Sequence, residues 1–258
     1  MIKALRFSVA PLVAASLAAF IPQASAQDAS GPGISVELGV AGKVTPRYFG
    51  ASKLVLSPAP LIRLKRLELP NGFTIGGGSD EGFSLSPSID VIGKRSVSDS
   101  PELTGLNTIK TAVELGVAAK YQMGNFRVMG AVRQGFGGHK GIRAELGADI
   151  IIKPDDQLTF YGGPRLNFGS SKFTNTYFGV TAAEASALYP ATTTSGGLYS
   201  AGLGAGMRFQ VDTNWAIEAE AGWSRLTGDA AKSPITAQGS KNQYSASFGI
   251  VRRFDIGS

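Results

Sequence analysis

The sequence contains no cysteine and a single histidine, His139. Without cysteine, no disulfide can brace the chain and no lipid-modified cysteine can anchor it. One histidine without cysteine argues against a transition-metal site, and a Ser-His-acid triad needs its histidine beside a nucleophile. His139 stands in a glycine-rich stretch, residues 137–141, where we expect a solvated loop side chain. The sequence therefore predicts no catalytic residue, no metal, no cofactor and a protein that is not an enzyme.

The chain also lacks a concentrated charge of either sign. It carries 25 basic and 19 acidic residues, a net charge of +6, and the basic residues are dispersed. Nucleic-acid binding needs a basic patch or stripe that can follow a phosphate backbone. We therefore expect no nucleic-acid partner.

Long apolar runs are absent beyond the N-terminal region. Lys3 and Arg6 precede an apolar stretch over residues 7–21, and Ala24-Ser25-Ala26 follows it as a small-residue cleavage site. About 15 apolar residues fall short of the ~20 that a membrane-spanning helix needs. The pattern predicts a cleaved signal peptide over residues 1–26 and one domain over residues 27–258.

What the chain does have is strict alternation of apolar and polar residues. In residues 214–226, Trp215, Ile217 and Trp223 share one face of a strand, while Glu218 and Glu220 share the other. Eight residues separate the two tryptophans, which is roughly 26 Å along a strand. Tilted by about 40°, this becomes roughly 20 Å of height, close to an apolar band ~25 Å tall between two aromatic girdles. Soluble strands are shorter, about 5–6 residues.

This alternation recurs in ten clear segments, which predicts an all-β fold: an antiparallel transmembrane β-barrel. A further hairpin at Pro70-Asn71-Gly72 would raise the count to twelve, and an even count puts both termini on one side. Short turns alternate with long loops, as in outer-membrane barrels with periplasmic turns and outer loops. Pro58 and Pro60 predict a bulge or a local irregularity at their positions in the second strand. Thr181 and Glu184 form a capping-box pattern that predicts a short helix over residues 182–188 of the longest loop.

The alternation also assigns side chains to the two faces of the barrel wall. The candidates for the lumen are charged: Glu114, Arg127, Arg133, Arg143, Glu145, Asp149, Arg165, Arg208, Glu218 and Glu220. The alternation puts Glu37, Arg63 and Asp90 on the same face. We expect ion pairs among these residues rather than acid–base chemistry by Glu218 and Glu220. The candidates for the membrane girdles are aromatic: Trp215, Trp223, Tyr199, Phe209, Tyr244 and Phe254. A lining of bulky charges in ten or twelve strands predicts a narrow or closed pore.

Four blocks resemble the MipA/OmpV family of outer-membrane proteins: residues 176–190 (TYFGVTAAEASALYP), 228–235 (GDAAKSPI), 57–61 (SPAPL) and 46–52. The resemblance covers roughly residues 33–254. It implies a barrel in the outer membrane of a Gram-negative bacterium. The family's namesake, an MltA-interacting protein, is a scaffold for a lytic transglycosylase and a murein synthase, and other members are porin-like or adhesive.

The last strand resembles the C-terminal signal by which the barrel-insertion machinery recognises such barrels. Ser247, Gly249 and Phe254 fit that pattern, whereas Arg252 stands where an apolar residue is usual.

The leading hypothesis is therefore a non-enzymatic scaffold in the outer membrane that tethers murein-processing enzymes. A narrow channel for small solutes and an adhesin acting through its outer loops are the alternatives. A planar-bilayer recording tests the channel, because an electrically silent protein would remove that alternative. Deletion of residues 169–196 tests the adhesin, because it should then abolish binding to a host surface.

Overall fold

The computed structural model describes residues 33–68, 74–76 and 81–257. The proposed signal peptide and the Pro70-Asn71-Gly72 turn lie outside these residues. The elements, in chain order, are β1 (Ile34–Pro46), β2 (Leu54–Glu68), β3 (Thr74–Gly76), β4 (Gly82–Ile92), a 3₁₀ helix (Pro101–Leu103), β5 (Ala112–Met123), β6 (Phe126–Gly137), β7 (Ile142–Ile152), β8 (Leu158–Gly169), α1 (Ser171–Phe178), β9 (Gly197–Gln210), β10 (Trp215–Leu226), α2 (Gly228–Lys232), α3 (Pro234–Ala237) and β11 (Asn242–Ile256).

All the described strands belong to one antiparallel sheet in the order β3-β2-β1-β11-β10-β9-β8-β7-β6-β5-β4. Cα atoms of β2 and β3 come within 8 Å of Cα atoms of β4, so the sheet curls into a nearly closed barrel. Ten strands are long, and β3 adds three residues that pair with Arg66–Glu68. This confirms the predicted fold class with ten crossing strands, because β3 is too short to cross the wall.

The two ends of the barrel differ. One end, which we call the turn end, carries the short connections at residues 124–125, 153–157 and 211–214. The pairing of Ile34 with Ile256 brings the first and last strands together there. The opposite end, the loop end, carries residues 47–53, 93–111, 138–141, 170–196 and 227–241. The three long loops thus share one end, as the sequence predicted, while residues 138–141 form a connection as short as the turns.

The outer wall is apolar. Large apolar side chains are exposed on all ten long strands, and they alternate with inward residues as strand geometry requires. Leu56, Val117 and Phe248 are 70%, 63% and 64% exposed, which water would not tolerate over so wide a surface. A nearly closed wall of this kind matches hydrocarbon, because neighbouring strands satisfy each other's backbone groups along the sheet. Among the described residues, no helix is long and apolar enough to cross a membrane.

β2 has an irregularity, but it lies away from its prolines. Pro58 pairs with Gly42 and Pro60 with Val40 in continuous register, whereas Lys65 is an extra residue opposite the step from Ser35 to Val36. The predicted position was wrong because β2 lies next to the end of the sheet, with only β3 beyond it. A strand with one open side can turn a proline nitrogen outward and lose no ladder bond.

Candidate functional site: the barrel interior and its cap

The bore is filled by ion pairs that reach across the barrel. At the turn end, both guanidinium nitrogens of Arg63 on β2 donate to Glu218 on β10, each at 2.7 Å. Arg208 on β9 lies 2.6 Å from Glu37 on β1 and 2.7 Å from Glu218. Since β1 and β11 separate β2 from β10, these side chains meet only inside the wall. We call Glu37, Arg63, Arg208 and Glu218 the turn-end cluster; its charges balance.

A second group of charges inside the wall surrounds Asp149. Its side chain is fully buried and accepts from Arg127 and Arg165, at 2.5 and 2.6 Å. The guanidinium of Arg127 lies 4.8 Å from the ring centroid of Tyr161, whose hydroxyl donates to Glu220 at 2.6 Å. Side chains from β6, β7, β8 and β10 therefore occupy the bore beside the turn-end cluster.

Near the loop end, Arg143 holds together three carboxylates. It pairs with Asp90, lies 2.9 Å from Glu114 and lies 3.3 Å from Glu145. Arg133 joins the group through Glu145 at 3.0 Å. Glu114 is 0% exposed, so its charge depends on these cations. We call Asp90, Glu114, His139, Arg143 and Glu145 the loop-end cluster.

His139 belongs to this cluster, and the prediction of a solvated loop residue was wrong. It is 2% exposed, and its Nε2 lies 3.1 Å from Glu114. The amide of Gly141 donates to its Nδ1 at 3.2 Å, which fixes the orientation of the ring with Nε2 toward the carboxylate. The ring also packs edge-on against Phe173, with centroids 5.2 Å apart. The histidine is buried because the loop folds back beneath α1, where a Cβ on Gly141 would lie 2.4 Å from the Phe173 nitrogen.

Above the loop-end cluster, the loops form an apolar cap that closes the barrel. We define the loop cap by its large buried side chains together with the partly buried Phe49, which packs against them: Tyr48, Leu103, Leu106, Phe173, Tyr177, Phe178, Tyr189, Tyr199 and Ile235. Hydrogen bonds tie its loops together: the Tyr189 hydroxyl donates to the Glu102 carbonyl at 2.6 Å, and the Ser233 hydroxyl to the Phe178 carbonyl at 2.7 Å. The hydrophobic core of this protein thus lies at its loop end.

Burial shifts the pKa values of ionisable groups in the loop cap. Burial and the neighbouring Glu102 raise the pKa of Tyr48 to about 12, so its phenol stays neutral near pH 7. Burial lowers the pKa of Arg95, against the opposing effect of the Glu184 carboxylate. Arg95 is 5% exposed and donates to the Tyr177 carbonyl at 2.9 Å. It stays a cation that anchors the end of α1.

The longest loop carries a helix, as predicted, but at another position. α1 spans Ser171–Phe178, and residues 182–184 form only a turn. Glu184 does accept from the Thr181 amide, at 3.0 Å, so half of the capping box exists. The helix forms at Ser171 because Ser170 caps it and because Phe173, Tyr177 and Phe178 bury one face in the cap. Leu188, by contrast, is 51% exposed and offers no buried contact.

At the turn end the bore opens into a cavity of about 440 Å³. It is lined by the turn at residues 153–157 together with Thr159, Arg208 and Gln210. Arg208 is also part of the turn-end cluster, so it links this cavity to the ion pairs of the bore. Among the described residues, no group of three or more His, Asp or Glu side chains could hold a metal ion.

Comparison with known proteins identifies the family. The family described as MltA-interacting protein MipA matches residues 38–254, which is most of the chain. The chain belongs to the MipA family. It is an outer-membrane β-barrel, and the family resemblance read from the loop blocks is confirmed.

Solved structures of other barrels cover the MipA-family chain with low identity. Ail, the attachment invasion locus protein of Yersinia pestis, is 13% identical, covering 87% of this chain and 99% of its own, at a TM-score of 0.30. A bacterial polysaccharide outer membrane secretin is 10% identical, with 85% and 98% covered and a TM-score of 0.41. OprG of Pseudomonas aeruginosa is 11% identical, with 88% and 99% covered and a TM-score of 0.30. No curated protein sequence matches the chain.

In this MipA-family barrel, all ten lumen candidates lie on the inner side of the wall, in the ion pairs and hydrogen bonds described above. The alternation also placed three further residues inward, and their ion pairs confirm it: Glu37 and Arg63 on the first strands, and Asp90 on β4. Their alternation is as regular as that of the others, so the face assignment was the signal that identified them.

Five of the six girdle candidates lie on the outer wall: Trp215, Trp223 and Phe254 at 36–38% exposure, Tyr244 at 55%, and Phe209 partly exposed. The sixth, Tyr199, was assigned wrongly: it is 4% exposed and packs against Phe173 in the cap, with centroids 5.1 Å apart. On β8, Asn167 pairs with Ser200 and Phe168 with Leu198, so Tyr199 is an extra residue in a β-bulge. A bulge reverses the face of the residues beyond it, which strict alternation cannot anticipate.

Proposed function

We propose that this chain is a non-enzymatic scaffold that acts through its ends, the turn end facing the periplasm and docking a murein-processing enzyme. The observation that carries the proposal is the filled bore. Three groups of ion-paired side chains and the loop cap leave little free lumen. A barrel of ten strands lies near the size at which side chains alone fill the interior. Function therefore falls to the surfaces at the two ends.

The family supports the choice of partner. Its description names an interaction with MltA, and the resemblance implies a periplasmic lytic transglycosylase together with a murein synthase. Short turns face the periplasm in outer-membrane barrels, so the open cavity at the turn end would face such enzymes. Export would follow removal of residues 1–26 as a signal peptide, and the last strand would be read by the barrel-insertion machinery. The filled bore supports a solute channel less well.

A pull-down from crosslinked membranes tests the proposal. We expect a lytic transglycosylase to be enriched over an unrelated ten-stranded barrel treated in the same way. Thr213 at the turn end and Thr193 at the loop end are both exposed, so each can be replaced by arginine without disturbing the wall. Enrichment should fall with Thr213→Arg and persist with Thr193→Arg. Equal recovery of the transglycosylase with both barrels would contradict the scaffold proposal. Loss of its enrichment with Thr193→Arg alone would place the docking surface at the loop end and contradict the proposed turn end.

A further inference from the structure

An arginine interrupts the apolar outer face of β11. The outward residues of this strand from Tyr244 onward are all exposed, and only Arg252 is charged: Tyr244, Ala246, Phe248, Ile250, Arg252, Phe254 and Ile256. Its strand neighbours are outward residues too: Trp215 on β10 and Leu38 on β1. Arg252 therefore faces the surroundings of the barrel rather than its lumen.

Two aromatic rings hold this arginine. Its guanidinium carbon lies 5.4 Å from the ring centroid of Trp215 and 5.0 Å from that of Phe254. Both distances fall within the ~6 Å range of cation–π contacts. Within the part of the chain that the structure describes, no carboxylate or carbonyl accepts from this guanidinium. The rings orient the group and leave its N–H donors unused.

The position along the wall identifies the surroundings. Trp215 is the first residue of β10, directly after the turn at residues 211–214, so the site lies at the turn-end rim of the apolar band. Tryptophan and exposed arginine belong at the level of lipid headgroups, where the ring is half buried and the cation can reach a polar group. Deeper in hydrocarbon, an unpaired charge would be expensive.

The opposite rim offers a contrast. Arg225 is also exposed and shares the outward face of β10 with Trp223. Its guanidinium donates to the Asn242 side chain at 3.3 Å, so it has an acceptor within the protein. No ring contact is found for it among the described residues. Two outward arginines thus differ in whether the protein satisfies them.

We propose that Arg252, with Trp215 and Phe254, binds the phosphate of a phospholipid headgroup in the leaflet at the turn end. A planar guanidinium presents paired N–H donors that match phosphate oxygens, and the rings exclude water from its faces. The indole N–H of Trp215 is a further donor at the site. This assignment is independent of the proposed scaffold role, because it concerns the outer wall and not the turn-end surface.

Fluorescence can report on the site, because the chain has only two tryptophans. In a Trp223→Phe background, Trp215 is the single emitter. The folded protein in a maltoside detergent, which contains no phosphate, is titrated with a short-chain phosphatidylglycerol. We expect a saturable change in Trp215 emission, and an apparent affinity about fivefold weaker in Arg252→Gln, the factor expected for one basic residue at a lipid surface. Arg225→Gln is the matched control and should bind as the parent does.

Three further arms decide the chemistry. Arg252→Lys keeps the charge without the paired donors and should fall between the parent and Arg252→Gln, which also guards against a folding defect. A short-chain diacylglycerol, which has no phosphate, should give no saturable change. Inorganic phosphate should give none at the same concentration, and an equal response to it would overturn the lipid assignment in favour of a free-anion site. Equal affinity in the parent and Arg252→Gln, or an equal loss in Arg225→Gln, would overturn the site itself.

Discussion

Replacing Arg143 by methionine is expected to destabilise the folded barrel by about 3–5 kcal/mol. Arg143 is the common partner of Asp90, Glu114 and Glu145, and its side chain is only 7% exposed. Removing one partner of a buried ion pair leaves the other charge without compensation. Here Asp90 and the fully buried Glu114 would lose their arginine, while Glu145 would keep Arg133. Urea unfolding of the protein folded into lipid vesicles measures the change.

Two variants make this measurement specific. Arg225→Met removes an exposed arginine from the outer rim and should stay within about 0.5 kcal/mol of the parent. Adding Glu114→Gln to Arg143→Met removes one uncompensated charge, so the double variant should recover part of the loss. A loss below ~1 kcal/mol in Arg143→Met, or strict additivity in the double variant, would show that the loop-end cluster does not depend on this arginine.

Replacing Phe173 by alanine is expected to weaken the loop cap by about 3–5 kcal/mol. Phe173 is 0% exposed and contacts the rings of Phe49, Tyr177 and Tyr199 at centroid distances of 5.0–5.6 Å. It also covers His139, so its removal leaves a cavity between α1 and the loop-end cluster. Native-state hydrogen exchange of the α1 amides measures the opening of the cap directly.

The control for Phe173 lies in the same loop. Leu188 is 51% exposed, so Leu188→Ala should leave α1 exchange unchanged within about 0.5 kcal/mol. The barrel strands should keep their protection in Phe173→Ala, because their stability comes from the ladder and the surrounding lipid. Faster exchange across β9 and β10 as well would mean that cap and barrel unfold as one unit, contrary to the separate core described here.

The wall of the barrel was predictable because its pattern has a period of two and no competing period. Alternation assigns Trp215 and Trp223 to the outer face of the wall and Glu218 to the inner face. Ten segments with this alternation give the ten strands, the end of the barrel at which each connection lies, and most of the charged residues of the lumen. Tyr199 marks the limit of the rule: one extra residue in β9 turns an aromatic from the wall into the cap, and no local feature of the sequence announces it.

The cap was not predictable in the same way, because its contacts join loops that are far apart in the chain. His139 is buried by α1, some 30 residues later in sequence, and the side chain that covers it, Phe173, carries no signal for this. The glycines beside His139 were the available hint. A Cβ at Gly135 would lie 2.0 Å from the His139 ring, so the glycine there makes room for the ring. The glycine-rich composition of residues 137–141 predicted a solvated loop side chain instead.

The predicted helix failed for a related reason. The capping box at Thr181 is a local signal, and its hydrogen bond does form. Helices as short as these are stabilised by packing, and only Ser171–Phe178 has an apolar face to bury. The capping-box pattern therefore identified a turn at residues 182–184, while packing against the loop cap determines that the helix forms at Ser171–Phe178.

The most direct test of the filled bore is a planar-bilayer recording of the purified, folded protein. The three groups of ion-paired side chains and the loop cap predict no steady conductance above that of the bare bilayer, under conditions in which an open porin conducts. Reproducible ohmic steps from the parent protein would contradict the account, since they would require a continuous aqueous path past Arg63, Asp149 and Arg143.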